Sequence, residues 1–137
     1  MIAAIEKTLE LEQSPADVWR ALTDPTAVAG WFGDSARFSP ELGGEGWFGW
    51  EKHGRFAMRV EVFEPPTRFA WRWAREAGKS LDETHSTLVE WILVPRDDGG
   101  TTLMLKESGF VSEEYRKLND GGWNEELGHL LDFLGVA

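Results

Sequence analysis

Apolar and polar positions alternate at period two along most of this chain and fall into helical stripes at two places. From Ala3 to Glu12, Ile5, Leu9 and Leu11 share one face, interrupted by Lys7, while Glu6, Thr8, Glu10 and Glu12 hold the other. That is the pattern of a strand with one wet side. Ser14-Pro15-Ala16-Asp17 then starts a helix: Ser14 caps it, Pro15 suits the first turn, and Asp17 favours the positive end of the helix dipole. Val18, Trp19 and Leu22 give that helix an apolar side, and Asp24-Pro25 repeats the start signal for a second short helix reaching about Trp31.

From there the pattern predicts strands over Gly46–Trp50, Phe56–Glu64, Thr67–Ala74, Ser86–Val94 and Thr101–Ser108. Pro65-Pro66 ends the second of these, because proline donates nothing to a ladder. Glycine-containing turns at Glu41–Gly44, Lys52–Gly54 and Pro95–Gly100 separate the runs. Phe69, Trp71 and Trp73 share one face of their strand, and Leu103, Leu105 and Glu107 share one face of theirs. After Phe110 a polar connector carries Ser112-Glu113-Glu114, a solvated tract or the start of a helical turn. Gly121-Gly122-Trp123 then opens a helix whose stripe is Trp123, Leu127, Leu130 and Leu134.

Consecutive strands with short turns make an antiparallel sheet. The expected fold is therefore α+β: a curved antiparallel sheet of six or seven strands around a long C-terminal helix, with two short helices after the first strand. Neither a repeat nor a linker divides residues 1–137, which read as one domain. One helix does not fill a wide concave sheet face, so a cavity is expected beneath it. Its walls would be Trp31, Phe69, Trp71, Trp73, Leu88, Leu103, Leu105, Trp123 and Leu127.

Composition narrows the function classes. A formal net charge of -10 disfavours nucleic acid and anionic membrane as partners. The absence of cysteine excludes disulfides, thiolate metal sites and a cysteine nucleophile. No apolar run approaches the roughly 18 residues of a membrane span, and the N-terminus carries no secretion-signal pattern, so the expectation is a cytoplasmic protein. Eight Trp beside eight Phe point to a large aromatic interior or a stacking site for a flat ligand.

Two carboxylates fall on predicted strands. If the turn Pro95–Gly100 closes a hairpin, Glu90 lies near Leu105 and Glu107 near Leu88. Should both point inward, they would raise each other's pKa, and one could act as general acid or base. The opposite face of the first strand (Val89, Trp91, Leu93) is equally apolar, so periodicity leaves its orientation open. A buried glutamate can also simply be held by Arg59, Arg72 or an indole N–H. Trp47 and Trp91, if exposed together, would form a homodimer patch. His129 follows Glu125 by one helical turn, but no third ligand accompanies them, so no metal is expected. Ser86 and Ser108 lack the context of a nucleophilic serine.

Val18-Trp19, Leu22-Thr23-Asp24-Pro25, Trp31-Phe32, Gly43-Gly44, Pro65-Pro66-Thr67-Arg68-Phe69, Trp71-Arg72-Trp73, Gly100-Thr101-Thr102-Leu103, Glu107-Ser108-Gly109-Phe110 and Gly122-Trp123 occur in this order. Together they resemble the START-like, helix-grip (SRPBCC) superfamily, in the branch named for the activator of the heat-shock-protein-90 ATPase. The resemblance implies a βα₂β₆α fold with a cavity between sheet and last helix, and no cofactor. The sequence departs from that pattern at Glu90, where an apolar inward residue is usual. Three functions follow as expectations. The first is binding of a small hydrophobic, aromatic ligand, with Glu107 and Glu90 anchoring its polar group. The second is an enzyme of the cyclase, dehydratase or hydrolase type using Glu107 as acid/base. The third is a chaperone-regulating interaction module.

Overall fold

The computed structural model describes residues 2–135. In chain order it contains β1 (Ile5–Leu11), α1 (Pro15–Thr23), α2 (Pro25–Val28), β2 (Ser35–Phe38), β3 (Glu45–Trp50), β4 (Gly54–Glu64), β5 (Arg68–Ala74), β6 (Ser86–Pro95), β7 (Thr101–Ser108) and α3 (Glu113–Gly135). The seven strands form one antiparallel sheet in the order β1-β7-β6-β5-β4-β3-β2. α3 covers its concave face, and this is the helix-grip arrangement expected from the chain. Both short helices start as their sequences dictate: the Asp17 N–H donates to Ser14 Oγ at 3.2 Å and the Thr26 N–H to Asp24 Oδ1 at 3.0 Å.

β2 is the strand that the hydrophobic pattern did not reveal. It has four residues and pairs with β3 through Phe38↔Gly46. A Cβ on Gly46 would overlap the Arg37 carbonyl oxygen, so glycine alone lets β2 close on its neighbour. Lys7, the odd residue of the β1 inner face, reaches across to α3 and pairs with Asp120 at 2.8 Å.

The β6–β7 register is one residue away from the expected one. Val89 faces Glu107, Trp91 faces Leu105 and Glu90 faces Lys106. A one-residue slip turns a strand over, so Val89, Trp91 and Leu93 are buried, while Leu88 and Glu90 lie on the outer face with Ile92. Trp91 is therefore core and cannot join Trp47 in an exposed patch. Trp47 is itself half-buried, with the Arg55 guanidinium 4.0 Å over its ring.

α3 starts eight residues before the glycine pair taken to open it. Of the two readings of the acidic tract, the helical turn holds, and the tract is the first turn of α3: the Tyr115 N–H donates to Ser112 Oγ at 3.1 Å, and Glu113 and Glu114 sit at the positive end of the dipole. The helix then runs through Gly121 and Gly122, although interior glycines cost about 1 kcal/mol each relative to alanine. Side-chain anchors on either side hold it together: Asp120 to β1, and Asn119 and Trp123 to β7. The predicted stripe of Trp123, Leu127, Leu130 and Leu134 is buried as a unit.

A Cβ on Gly121 would meet nothing within 4 Å. Gly121→Ala is expected to stabilise the protein by about 1 kcal/mol through helix propensity alone, measured as a higher urea midpoint with an unchanged slope.

Candidate functional site

The inner face of β7 ends in a charge. Glu107 follows Leu103 and Leu105 on that face and is 0 % exposed. Four groups donate to its carboxylate. Trp73 Nε1 from β5 lies 2.9 Å away, Thr87 Oγ1 from β6 2.5 Å, Asn119 Nδ2 from α3 3.1 Å from each oxygen, and Trp123 Nε1 from α3 2.7 Å. Indole and amide N–H groups can only donate, and the carboxylate accepts from all of them; Thr87 Oγ1 also accepts from Trp73 at 3.0 Å. Tyr115, one turn before Asn119, packs beside the group. Burial raises its phenol above the usual value of 10.0, and the charge of Glu107 adds to the effect. No cation pairs with Glu107 among the described residues; Arg59 and Arg72 instead pair with Glu61 at 2.9 and 3.5 Å.

This clamp fixes the first half of α3 against one end of the sheet, and a cleft of about 1080 Å³ opens beside it. The floor is aromatic: Phe32, Trp50, Phe56, Trp73 and Trp123. The rims come from the β3–β4 turn (Glu51, Lys52, His53), the segment after β5 (Arg75, Glu76, Ala77) and the exposed edge of α3 (Glu114, Leu118, Glu125). Trp50, Phe56 and Trp73 are only half-buried, so part of each side chain is open to the cleft. The rings brace one another: Trp50 stands edge-on to Phe32 at 5.0 Å and to Phe56 at 5.6 Å, and Phe32 stacks on Trp123 at 5.2 Å. Gly122 contributes no side chain where α3 passes the cleft, which leaves room at its mouth.

A second buried carboxylate sits at the other end of the cleft. Glu126 Oε2 accepts the Gly33 N–H at 2.7 Å, and Oε1 lies 3.1 Å from His129 Nδ1. Gly33 can aim its N–H there because its φ of +66° is open to glycine. His129 thus meets Glu126, three residues away, and not Glu125 as its spacing suggested. Burial raises the Glu126 carboxyl above its ordinary 4.5, opposed by the Gly33 hydrogen bond and His129.

Of the residues expected around a central cavity, Trp73 and Trp123 line the cleft, and Glu107 lies directly behind them. Trp31, Phe69, Trp71, Leu103, Leu105 and Leu127 pack in the core instead. Trp31 Nε1 donates to the Ala21 carbonyl at 2.8 Å, whereas the buried N–H groups of Trp71 and Trp91 meet no acceptor. Leu88 and Glu90 are on the far side of the sheet, so Glu90 forms no pair with Glu107. Sequence reasoning missed Trp50, Phe56, Asn119, Tyr115 and Glu126. Glu126 was signalled by its place within the apolar stripe between Trp123 and Leu127. Asn119 and Tyr115 lie on the same stripe once the helix is extended backwards.

Residues 12–135 match the family described as "Activator of Hsp90 ATPase homolog 1-like protein". The chain belongs to this family. Among solved structures it is similar to protein MLL2253 from Mesorhizobium loti, at 21% identity over 98% of each chain with a TM-score of 0.86. It is similar to CalU16 from Micromonospora echinospora, at 25% identity over 96% of this chain and 75% of that one, with a TM-score of 0.78. It is also similar to the Aha1 protein of Colwellia psychrerythraea, described as a dimer, at 18% identity over 97% and 96% of the two chains, with a TM-score of 0.81. No protein of curated function shows significant sequence similarity to it. Among the described residues, no helix is long and apolar enough to cross a membrane.

Glu107→Leu leaves buried N–H and O–H donors on two strands and α3 without this acceptor, and is expected to cost about 3 to 5 kcal/mol. Glu107→Gln, which keeps one oxygen, should cost less; urea denaturation ranks the two. For Glu126 the native state holds a proton that the unfolded chain has already released above pH 4.5. Its contribution to stability is thus fully present below that pH and is lost as pH rises through the raised native value. In urea unfolding across that window, Glu126→Gln should remove this part of the pH slope.

Proposed function

We propose that this protein binds a small hydrophobic, aromatic ligand in the cleft between the sheet and the first half of α3. The observation that carries this reading is the set of half-buried side chains of Trp50, Phe56 and Trp73 on the floor of a cleft of about 1080 Å³. Ligand pockets of this kind span several hundred cubic ångströms and are lined by aromatic groups with a few polar ones. Edge-on neighbours hold the rings in place, so little side-chain freedom is lost when a flat molecule stacks on them.

Glu107 serves this function from behind the wall. Its oxygens are occupied by four donors and do not reach the cleft surface, so in this reading it orients Trp73 and Trp123 and performs no proton transfer. Asn119 and the Glu126–His129 pair are the polar groups at the cleft that could orient a ligand. The ligand would enter between the β3–β4 turn and Leu118 of α3.

Titration with 1-naphthol, followed by quenching of tryptophan emission, tests the proposal. Saturable quenching is expected. Trp50→Ala and Phe56→Ala should each weaken binding about tenfold, the worth of one aromatic contact, whereas Ile92→Ala on the outer sheet face should leave it unchanged. Absence of saturable quenching by naphthol and by larger fused-ring compounds would remove the reading.

A further inference from the structure

The rim of the cleft is strongly unbalanced in charge. Six carboxylates line it against two permanent cations, Lys52 and Arg75. One of those cations is already engaged, since the Arg75 guanidinium lies 5.0 Å over the Tyr115 ring. By contrast, the side chains of Glu51, Glu114 and Glu125 meet neither a cation nor a hydrogen-bond donor among the described residues. A concave site with low-dielectric walls focuses such a field into its interior.

The floor acts in the same direction for a separate reason. Trp73 and Trp123 donate their indole N–H groups to the uncompensated Glu107 carboxylate, at 2.9 and 2.7 Å. A donor bonded to a carboxylate is polarised toward its own ring, and the ring's π face becomes more negative. Trp73 is half-buried and lines the cleft. Indole faces already attract cations through their quadrupole, most effectively where water is excluded. An anionic rim and carboxylate-backed indoles therefore select the same sign of ligand.

We propose that the cleft takes an organic cation, an aromatic or alkyl amine, in preference to a neutral or anionic molecule of the same shape. This rests on the cleft being a ligand site and deepens that reading by naming the ligand class. The ring system of such a ligand would stack on Trp50 and Phe56. Its ammonium would lie over Trp73, between Glu51 on one rim and Glu125 on the other.

The test uses three naphthalenes that differ only in their substituent: 1-naphthylmethylammonium, 1-naphthylmethanol and 1-naphthoate. They are titrated into the full-length protein by calorimetry at low and high salt. The ammonium is expected to bind at least tenfold more tightly than the alcohol, and the carboxylate most weakly. Raising the salt should shrink the ammonium's advantage, because rim charges are screened. The double variant Glu51→Gln/Glu125→Gln, with its fold verified by circular dichroism, should reduce the ratio of ammonium to alcohol affinity several-fold. If the alcohol binds as well as the ammonium, or the carboxylate binds best, the cation preference is overturned while the aromatic cleft stands. If none of the three binds, both fall together.

Discussion

A carboxylate on the inner face of a sheet is tolerated only when donors replace the water it has lost. In this protein that demand organises one end of the fold. Satisfying Glu107 draws a tryptophan from β5, a threonine from β6, and an asparagine and a tryptophan from α3 to one point. The requirement sets how far α3 advances along the sheet before it may turn away. It also sets the attitude of Trp73 and Trp123, whose N–H ends are tethered and whose rings must therefore face elsewhere. The cleft lies beside this point because polar tethers, and not interdigitating aliphatics, hold the helix there.

At the opposite end the packing is conventional. Leu127, Leu130 and Leu134 of α3 share one buried core with Leu93, Leu103 and Leu105, to which the tilted rings of Trp71 and Trp91 also belong. The indole N–H groups of these two tryptophans lack acceptors, a cost of about 1–3 kcal/mol each set against the burial of two of the largest side chains. The concave face is thus dry and filled at its centre, and the open volume is displaced to the rim. Membership of the activator-homologue family defines the architecture. The chemistry of the cleft depends on the residues that this chain places at that rim.

Much of the fold could be read from periodicity because it is built from alternation and stripes. The order of strands, the two capped helices and the buried face of α3 all follow from such signals. What escaped them depends on partners distant in sequence. Four residues of β2 carry too few alternations to be recognised, and their pairing depends on a glycine across the ladder. Glu90 and Glu107 could not be oriented together, because both faces of β6 are apolar and a single residue of register decides which is inward. Gly121-Gly122 marked a break by local propensity, yet the helix continues because Asp120 and Trp123 are tied to different strands. Trp73, Trp123 and Glu107 could be singled out together from the sequence, and they meet in the fold. Trp50 and Phe56 were not, since their exposure depends on how a β-hairpin sits relative to a helix some sixty residues later.

The aromatic rings form one connected network, with Trp50, Trp73, Trp71, Trp91 and Trp123 linked by centroid separations of 5.6 to 6.3 Å. Indoles this close exchange excitation energy during the lifetime of the excited state. Light absorbed deep inside the protein can therefore be lost at Trp50, one of the two half-buried rings of the network. Emission from the whole cluster then becomes a sensor of events at a single surface position, and buried chromophores report on encounters that never touch them.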